Sequence, residues 1–234
     1  MGSPGDRLWA VVPAAGTGRR MGVETPKQYL PLAGATVLDI SLRALLQAPA
    51  VVGVVVALRA DDMHWKQSQF HADARVTAVA GGVERVDSVL AALHTLRGRV
   101  SDDDWIAVHD AARPCLGISD IDRVFDAARQ NGQAALLGVP VADTIKRVAN
   151  GVVVQTVDRA DLWQAYTPQV SRYRLLVDAI ESALDRGLRI TDEASALEAH
   201  GVRPAIVEGR IENIKITRAG DLERAEQFLS REIS

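Results

Sequence analysis

Between Pro13 and Lys27 the chain concentrates groups suited to holding phosphate. The small residues Ala14 and Ala15 and the glycines Gly16 and Gly18 let the backbone come very close to a ligand. Arg20 and Lys27 then supply fixed cations. Bare amides beside cations are what a triphosphate needs. The loop has no Gly-Lys-Ser/Thr of the P-loop, and Met21 stands where the dinucleotide fingerprint needs its third glycine. A Gly-x-Gly turn alone fits a structural turn equally well. Arg20 and Lys27, beside a strand end, tilt the reading towards phosphate.

Further along, Gly81-Gly82 opens a second glycine turn that leads to Arg85 and Ser88. Either it is a tight turn with an exposed arginine, or its backbone and the Ser88 hydroxyl meet a base or ribose. His109-Asp110-Ala111-Ala112-Arg113-Pro114 ends a strand, where Asp110 can hold Mg²⁺ together with phosphate oxygens. A His-Asp pair also occurs in metal phosphohydrolases, but His64, His71, His94 and His200 show no ligand spacing. His109 therefore reads as a packed histidine, and Cys115 as a buried thiol. Nothing pairs a serine or cysteine with a positioned histidine, so covalent catalysis has no visible machinery. Asp143-Thr144 and Asp158-Arg159 read as surface groups, and Thr191-Asp192-Glu193 first of all as a helix N-cap. Lys215, inside an apolar run, must reach an edge, an anion or solvent.

The elements that must position these groups follow from periodicity. Apolar runs at 8–12, 51–58, 75–79, 105–109 and 134–139 read as strands. Between them, 37–48, 87–96 and 118–130 carry helical patterns. The alternation predicts a doubly wound, mostly parallel α/β sheet with ligands at the carboxyl ends of its strands. At 144–148 and 152–157 two strand-like runs flank Ala149-Asn150-Gly151, a hairpin signal. A lone two-stranded ribbon is marginal in water, so this one must lean on something, a second subunit being the natural support. Helices are expected at 173–186 and 192–200, strands at 204–207 and 213–216, and a last helix at 219–229.

With 234 residues, 47% of them hydrophobic, the chain suits one domain with a sizeable core. A net charge of -3 offers no global attraction for nucleic acid. No apolar run approaches the roughly 20 residues of a membrane span, and 1–6 has no signal-peptide core. The single cysteine leaves no intrachain disulfide and points to a reducing cytoplasm.

Taken together, the motifs resemble the 2-C-methyl-D-erythritol 4-phosphate cytidylyltransferases. The matching pieces are Pro13-Ala14-Ala15-Gly16-Thr17-Gly18-Arg19-Arg20-Met21 with Pro26-Lys27-Gln28-Tyr29, and Gly81-Gly82 with Arg85 and Ser88-Val89. Val108 to Pro114, Asp143 to Lys146, Asp158-Arg159 with Thr167-Pro168-Gln169, Thr191 to Ser195 and Asn213 to Thr217 complete a series running in order through nearly the whole chain.

The resemblance implies a nucleotidyltransferase-type α/β fold of the Rossmann-like, nucleotide-diphospho-sugar transferase kind. Residues 1–234 would form a single domain, with 141–167 as a β-arm excursion used for homodimerisation. It implies CTP and methylerythritol phosphate as substrates and Mg²⁺ as cofactor. Ala14, Ala15, Gly16, Gly18, Gly82, Ser88 and Ala111 would bind CTP. Arg20, Lys27 and Lys215 would act on its phosphates. Asp110 would hold the metal and, with Arg113, Thr144, Thr191 and a partner's Arg159, contact the acceptor. An acceptor phosphate is already a nucleophile, so the missing general base is expected, and stabilising charge is the dominant lever. Ribitol 5-phosphate cytidylyltransferase, which shares the scaffold, and a CTP-binding regulator without turnover are the competing readings. A hydrolase is disfavoured because no residue is placed to activate water.

Overall fold

The computed structural model describes residues 7–16 and 25–232. Its first strand, β1 (Leu8–Pro13), is followed by a small ribbon of β2 (Pro31–Leu32) and β3 (Ala35–Thr36). α1 (Val37–Gln47), β4 (Val51–Leu58), β5 (Val76–Ala80), α2 (Arg85–Thr95), β6 (Trp105–Val108), α3 (Ile118–Asn131) and β7 (Ala134–Pro140) continue the expected alternation. A hairpin of β8 (Ile145–Ala149) and β9 (Val152–Val157) precedes β10 (Trp163–Arg172). α4 (Tyr173–Asp185), α5 (Glu193–Ala199), β11 (Ala205–Glu208) and α6 (Ala219–Glu232) close the chain.

Seven strands form one sheet in the order β11-β7-β10-β6-β1-β4-β5. β1 pairs in parallel with β4 and β6, β4 with β5, and β7 with β11, whereas β10 opposes both β6 and β7. The unbroken apolar runs of β1 and β4 follow from burial on both faces. Alternate residues feed opposite cores. Ala10, Val12, Val54 and Val56 pack with α1 and α3 on one side, through Leu38, Leu42, Ile121 and Val124. Val11, Val55 and Ala57 pack with α2, α4 and α5 on the other, through Leu93, Leu176, Ile180 and Leu197. Each fully buried leucine or isoleucine contributes about 1.5–3 kcal/mol. These two cores fix the strand ends against which everything functional is hung.

The hairpin forms as expected. Asn150 and Gly151 take φ of 49° and 78°, the paired left-handed residues that let a two-residue turn match strand twist. Val148, Val152, Val153 and Val154 are exposed on it. The expected excursion of 141–167 is shorter in the sheet's own terms. The chain leaves the sheet after Pro140 and rejoins at Trp163, which pairs with Pro140, so 163–167 belong to β10. β10 itself was not foreseen as a strand: Pro168 and the polar Thr167 and Gln169 sit where its pairing with β7 is interrupted.

The expected strand at 213–216 is absent. The segment is irregular because its backbone groups are engaged elsewhere. The Asn213 carbonyl accepts from Arg113 Nη1 at 2.7 Å, and the Ile216 amide donates to the Ala112 carbonyl at 2.8 Å. Ile216 is fully buried in a third apolar cluster with Leu32, Val37 and Ala225, which pins this segment beneath the sheet's carboxyl edge.

Candidate functional site

The carboxyl ends of β1, β5 and β6 open onto one cavity of about 370 Å³. Loop 14–16 continues from β1, and the Ala14 amide donates to the Ala57 carbonyl at 2.7 Å. The buried Gln28 side chain donates to the carbonyls of Ala14 and Gly16, at 2.8 and 3.1 Å. Those two bonds hold the loop's carbonyls in place. Gly81 is needed for the close approach of the second loop: a Cβ there would lie 2.7 Å from Ser88 Oγ and 2.9 Å from Ala15 Cβ. Ser88 Oγ accepts from the Gly82 amide and donates to the Glu84 carbonyl, both at 3.2 Å. The hydroxyl expected against a base or ribose thus lines the cavity while holding the turn.

Asp110 is the electrostatic centre. Its Oδ1 accepts from Arg85 Nε at 3.0 Å, and its Oδ2 faces Lys215 Nζ at 2.8 Å and Arg113 Nε at 3.4 Å. Burial alone would raise its carboxyl, yet Arg85, Lys215 and Arg113 together hold it well below the usual carboxylate range. Arg85 also grips Glu193 with both terminal nitrogens, at 2.6 and 3.0 Å. Burial opposes the Arg85 charge, but the two carboxylates more than restore it.

His109, fully buried, fixes the backbone beneath this cluster. Burial pushes its imidazole down to about 4, so the ring is neutral at pH 7. Its Nε2 faces the Arg113 carbonyl at 3.0 Å and must carry the proton. The bare Nδ1 then accepts from Thr167 Oγ1 at 3.0 Å, and that hydroxyl accepts from the Asp110 amide at 3.1 Å. The packed-histidine reading holds, and Cys115 is likewise buried.

The cavity gathers Ala14, Ala15, Gly16, Lys27, Gly82, Ser88, Asp110, Ala111 and Lys215 from the expected set. Lys27 Nζ donates to the Ile216 carbonyl at 3.1 Å from the cavity wall. Arg113 lies behind Asp110 and not on the wall; it is buried, with its guanidinium carbon 4.4 Å from the Tyr166 ring centroid. Thr144, Arg159 and Thr191 are exposed away from the cavity. Arg159 Nη1 donates to the Ala142 carbonyl, and the Thr191 amide to Ser195 Oγ. Gly18 and Arg20 lie outside the described residues.

Sequence reasoning gave no role to Arg85, Glu193, Gln28 or Thr217, which line or brace the same site. One signal was available for Arg85. It is the first residue of α2, where the helix dipole disfavours a cation, so it called for an acidic partner. Glu193 hid because an acid at the start of α5 looks self-explanatory.

Among the described residues no group of three or more His, Cys, Asp or Glu could hold a metal by itself. Mg²⁺ commonly takes one or two carboxylates and completes its shell with substrate phosphates and water. Asp110, one of two carboxylates on the cavity wall with Glu84, fits that donor set, provided the phosphates arrive with the ion. Nor, among the described residues, is any helix long and apolar enough to cross a membrane.

Residues 8–231 match the family model described as 2-C-methyl-D-erythritol 4-phosphate cytidylyltransferase. Proteins of that name from Hahella chejuensis and Pseudomonas putida strain GB-1 are 47% and 50% identical to the chain. The first alignment covers 96% of this chain and 94% of the relative, the second 92% and 93%. Among solved structures, the Francisella tularensis 2-C-methyl-D-erythritol 4-phosphate cytidylyltransferase superposes with a TM-score of 0.84 at 37% identity. That match covers 95% of this chain and 99% of the other. The Thermus thermophilus structure of the same name gives 0.79 at 30% identity, over 96% and 99%.

Proposed function

The chain belongs to the 2-C-methyl-D-erythritol 4-phosphate cytidylyltransferase family, and from that premise we propose how its residues divide the reaction. It is a nucleotidyltransferase that joins CTP to 2-C-methyl-D-erythritol 4-phosphate in isoprenoid precursor synthesis. The products are 4-diphosphocytidyl-2-C-methyl-D-erythritol and pyrophosphate. The family match favours neither a ribitol 5-phosphate cytidylyltransferase nor a regulator that only binds CTP.

One observation carries the division of roles: Lys27 and Lys215 line a cavity whose floor is backbone from two glycine loops. Loop 14–16 receives the triphosphate, while Gly82, Ser88 and Ala111 border the nucleoside. An oxygen of the acceptor phosphate attacks the α-phosphorus of CTP in line. The new O–P bond forms as the bond to the β-phosphate bridging oxygen breaks, and that oxygen leaves on pyrophosphate. The acceptor dianion needs no general base, in keeping with a neutral, fully buried His109. The barrier is repulsion between anions. Lys27, Lys215 and Arg20 answer it by stabilising charge on the phosphate oxygens as it builds. Asp110 would hold Mg²⁺ together with the triphosphate. Bound there, the ion would supply positive charge to the phosphate oxygens. Arg113 fixes Asp110 from behind, and Thr144, Thr191 and Arg159 belong to the acceptor side.

The exposed valines of the β8–β9 hairpin support its use as a dimerisation arm, through which a partner's Arg159 reaches the acceptor phosphate. A single, buried, unbridged cysteine supports a reducing cytoplasm.

The test is pyrophosphate release from CTP and Mg²⁺ with each acceptor in turn. Methylerythritol phosphate should sustain release, ribitol 5-phosphate should not, and CTP alone should give none. Equal rates with both acceptors, or release without either, would overturn the assignment.

A further inference from the structure

Arg85 lines the cavity, yet each of its nitrogens already donates to a carboxylate. Nε meets Asp110 Oδ1 at 3.0 Å, and Nη1 and Nη2 meet Glu193 at 2.6 and 3.0 Å. The Glu193 side chain is only 3% exposed. A guanidinium engaged in this way is poorly placed to grip a phosphate. It is well placed to brace, because a planar fork holds two carboxylates from separate elements in fixed relation. The braced object is Asp110, whose other oxygen faces Lys215 at 2.8 Å. Charge matters as much as geometry here. Two carboxylates, Asp110 and Glu193, stand against three cations, Arg85, Arg113 and Lys215, leaving one net positive charge around Asp110.

We propose that Arg85 and Glu193 are positioning residues for this reaction. Glu193 orients and neutralises Arg85, Arg85 turns Asp110 so that Oδ2 faces Lys215, and the pair limits how tightly the cavity holds pyrophosphate. The proposal rests on the reading of this cavity as the CTP site. Without Glu193 the uncompensated guanidinium strengthens the pull on polyphosphate in the ground state and leaves Asp110 loosely held. Binding gained equally by substrate and product does not speed the chemical step.

The experiment compares the full-length native protein with Glu193→Gln, Arg85→Lys and the double variant Arg85→Gln/Glu193→Gln. Pyrophosphate affinity is measured by calorimetry, kcat by pyrophosphate release, and folding by thermal melting. Glu193→Gln should bind pyrophosphate several-fold more tightly while kcat falls about 10- to 100-fold, the range for partners that orient a ligating group. The double variant restores the charge balance, so its pyrophosphate affinity returns to the native value while kcat stays low. Arg85→Lys keeps the charge but cannot span both carboxylates, and should behave like the double variant, which keeps the question open to test should the latter fail to fold. Unchanged or weaker pyrophosphate binding in Glu193→Gln, or native kcat in any of the three, would overturn the proposal. A native protein that releases no pyrophosphate from CTP and methylerythritol phosphate would instead overturn the reading beneath it.

Discussion

The Asp110 cluster and the β8–β9 hairpin solve opposite problems. Around Asp110, buried carboxylates and the buried Arg113 meet the half-buried Arg85 and Lys215, and charges from four separate segments pair within one chain. On the hairpin the valines stand in solvent, as does Arg159 just after it, and only β8 and β9 pair with one another. The first region is complete before any ligand arrives: its dipoles and cations are already in place, which is where electrostatic catalysis gains most. The second is secured by turn chemistry and strand pairing alone. If the hairpin is the dimerisation arm proposed above, preorganisation and assembly are delegated to different parts of the sheet's carboxyl edge. Breaking the cluster should cost folding and chemistry together. Removing Lys27 from the wall should cost chemistry more than folding, and, if the hairpin is a dimer arm, loss of Arg159 should be reparable by a second subunit.

The largest effect is expected from Asp110→Asn. It removes the anion that three cations surround, and breaking a buried charge cluster in this way costs about 3–5 kcal/mol of stability. Urea unfolding should show that loss, with activity lost as well. A variant with native stability would mean that Asp110 is not the hub of the cluster.

Next comes Lys27→Ala. Lys27 sits on the cavity wall, where its Nζ donates to the Ile216 carbonyl, so its loss should lower activity far more than stability. Its loss from the transition state should cost about 3–4 kcal/mol, a fall of roughly 10²–10³ in kcat. Near-normal pyrophosphate release would remove Lys27 from the catalytic set.

Much of this was legible in the sequence because burial and turn chemistry leave local marks. The unbroken valines of β4 announce a two-faced strand, and Asn150-Gly151 announces its hairpin. The 14–16, 81–82 and 109–111 motifs land on one cavity because parallel strands bring their ends together. Elements defined by non-local pairing were not legible. β10 carries Pro168 and polar residues, and it is a strand only because β6 and β7 stand on either side of it. Asn213–Ile216 has a strand's composition, but Arg113 and Ala112 claim its backbone. The Arg85–Glu193 pair joins residues more than a hundred positions apart, and no local pattern marks such a partner.

His109 offers a smaller, pH-dependent probe of the same cluster. Its folded value, about 4, lies below the ordinary 6.5, so the unfolded chain binds more protons between those values. Stability is therefore fully present above pH 6.5 and is lost as pH falls towards 4, by at most about 1.4 kcal/mol per unit. Asp110, held low by its cations, adds its own loss only at still more acid pH. Urea midpoints between pH 7 and 5 should fall for the native chain and fall less for His109→Gln. Parallel profiles would show that the imidazole is not what titrates.

The smallest signal separates the two regions most directly. Lys27→Ala and Arg159→Ala subunits, each inactive alone, are mixed in equal amounts under conditions that allow exchange. If Arg159 serves a partner's site, a mixed dimer has one site missing both residues and one site missing neither. Half the dimers are mixed, so about a quarter of the native rate should return. If Arg159 serves its own site, every site lacks one residue and no activity returns. A regained quarter would make the exposed arm a contribution to the neighbouring cavity; no regain would place Arg159 with its own chain's site.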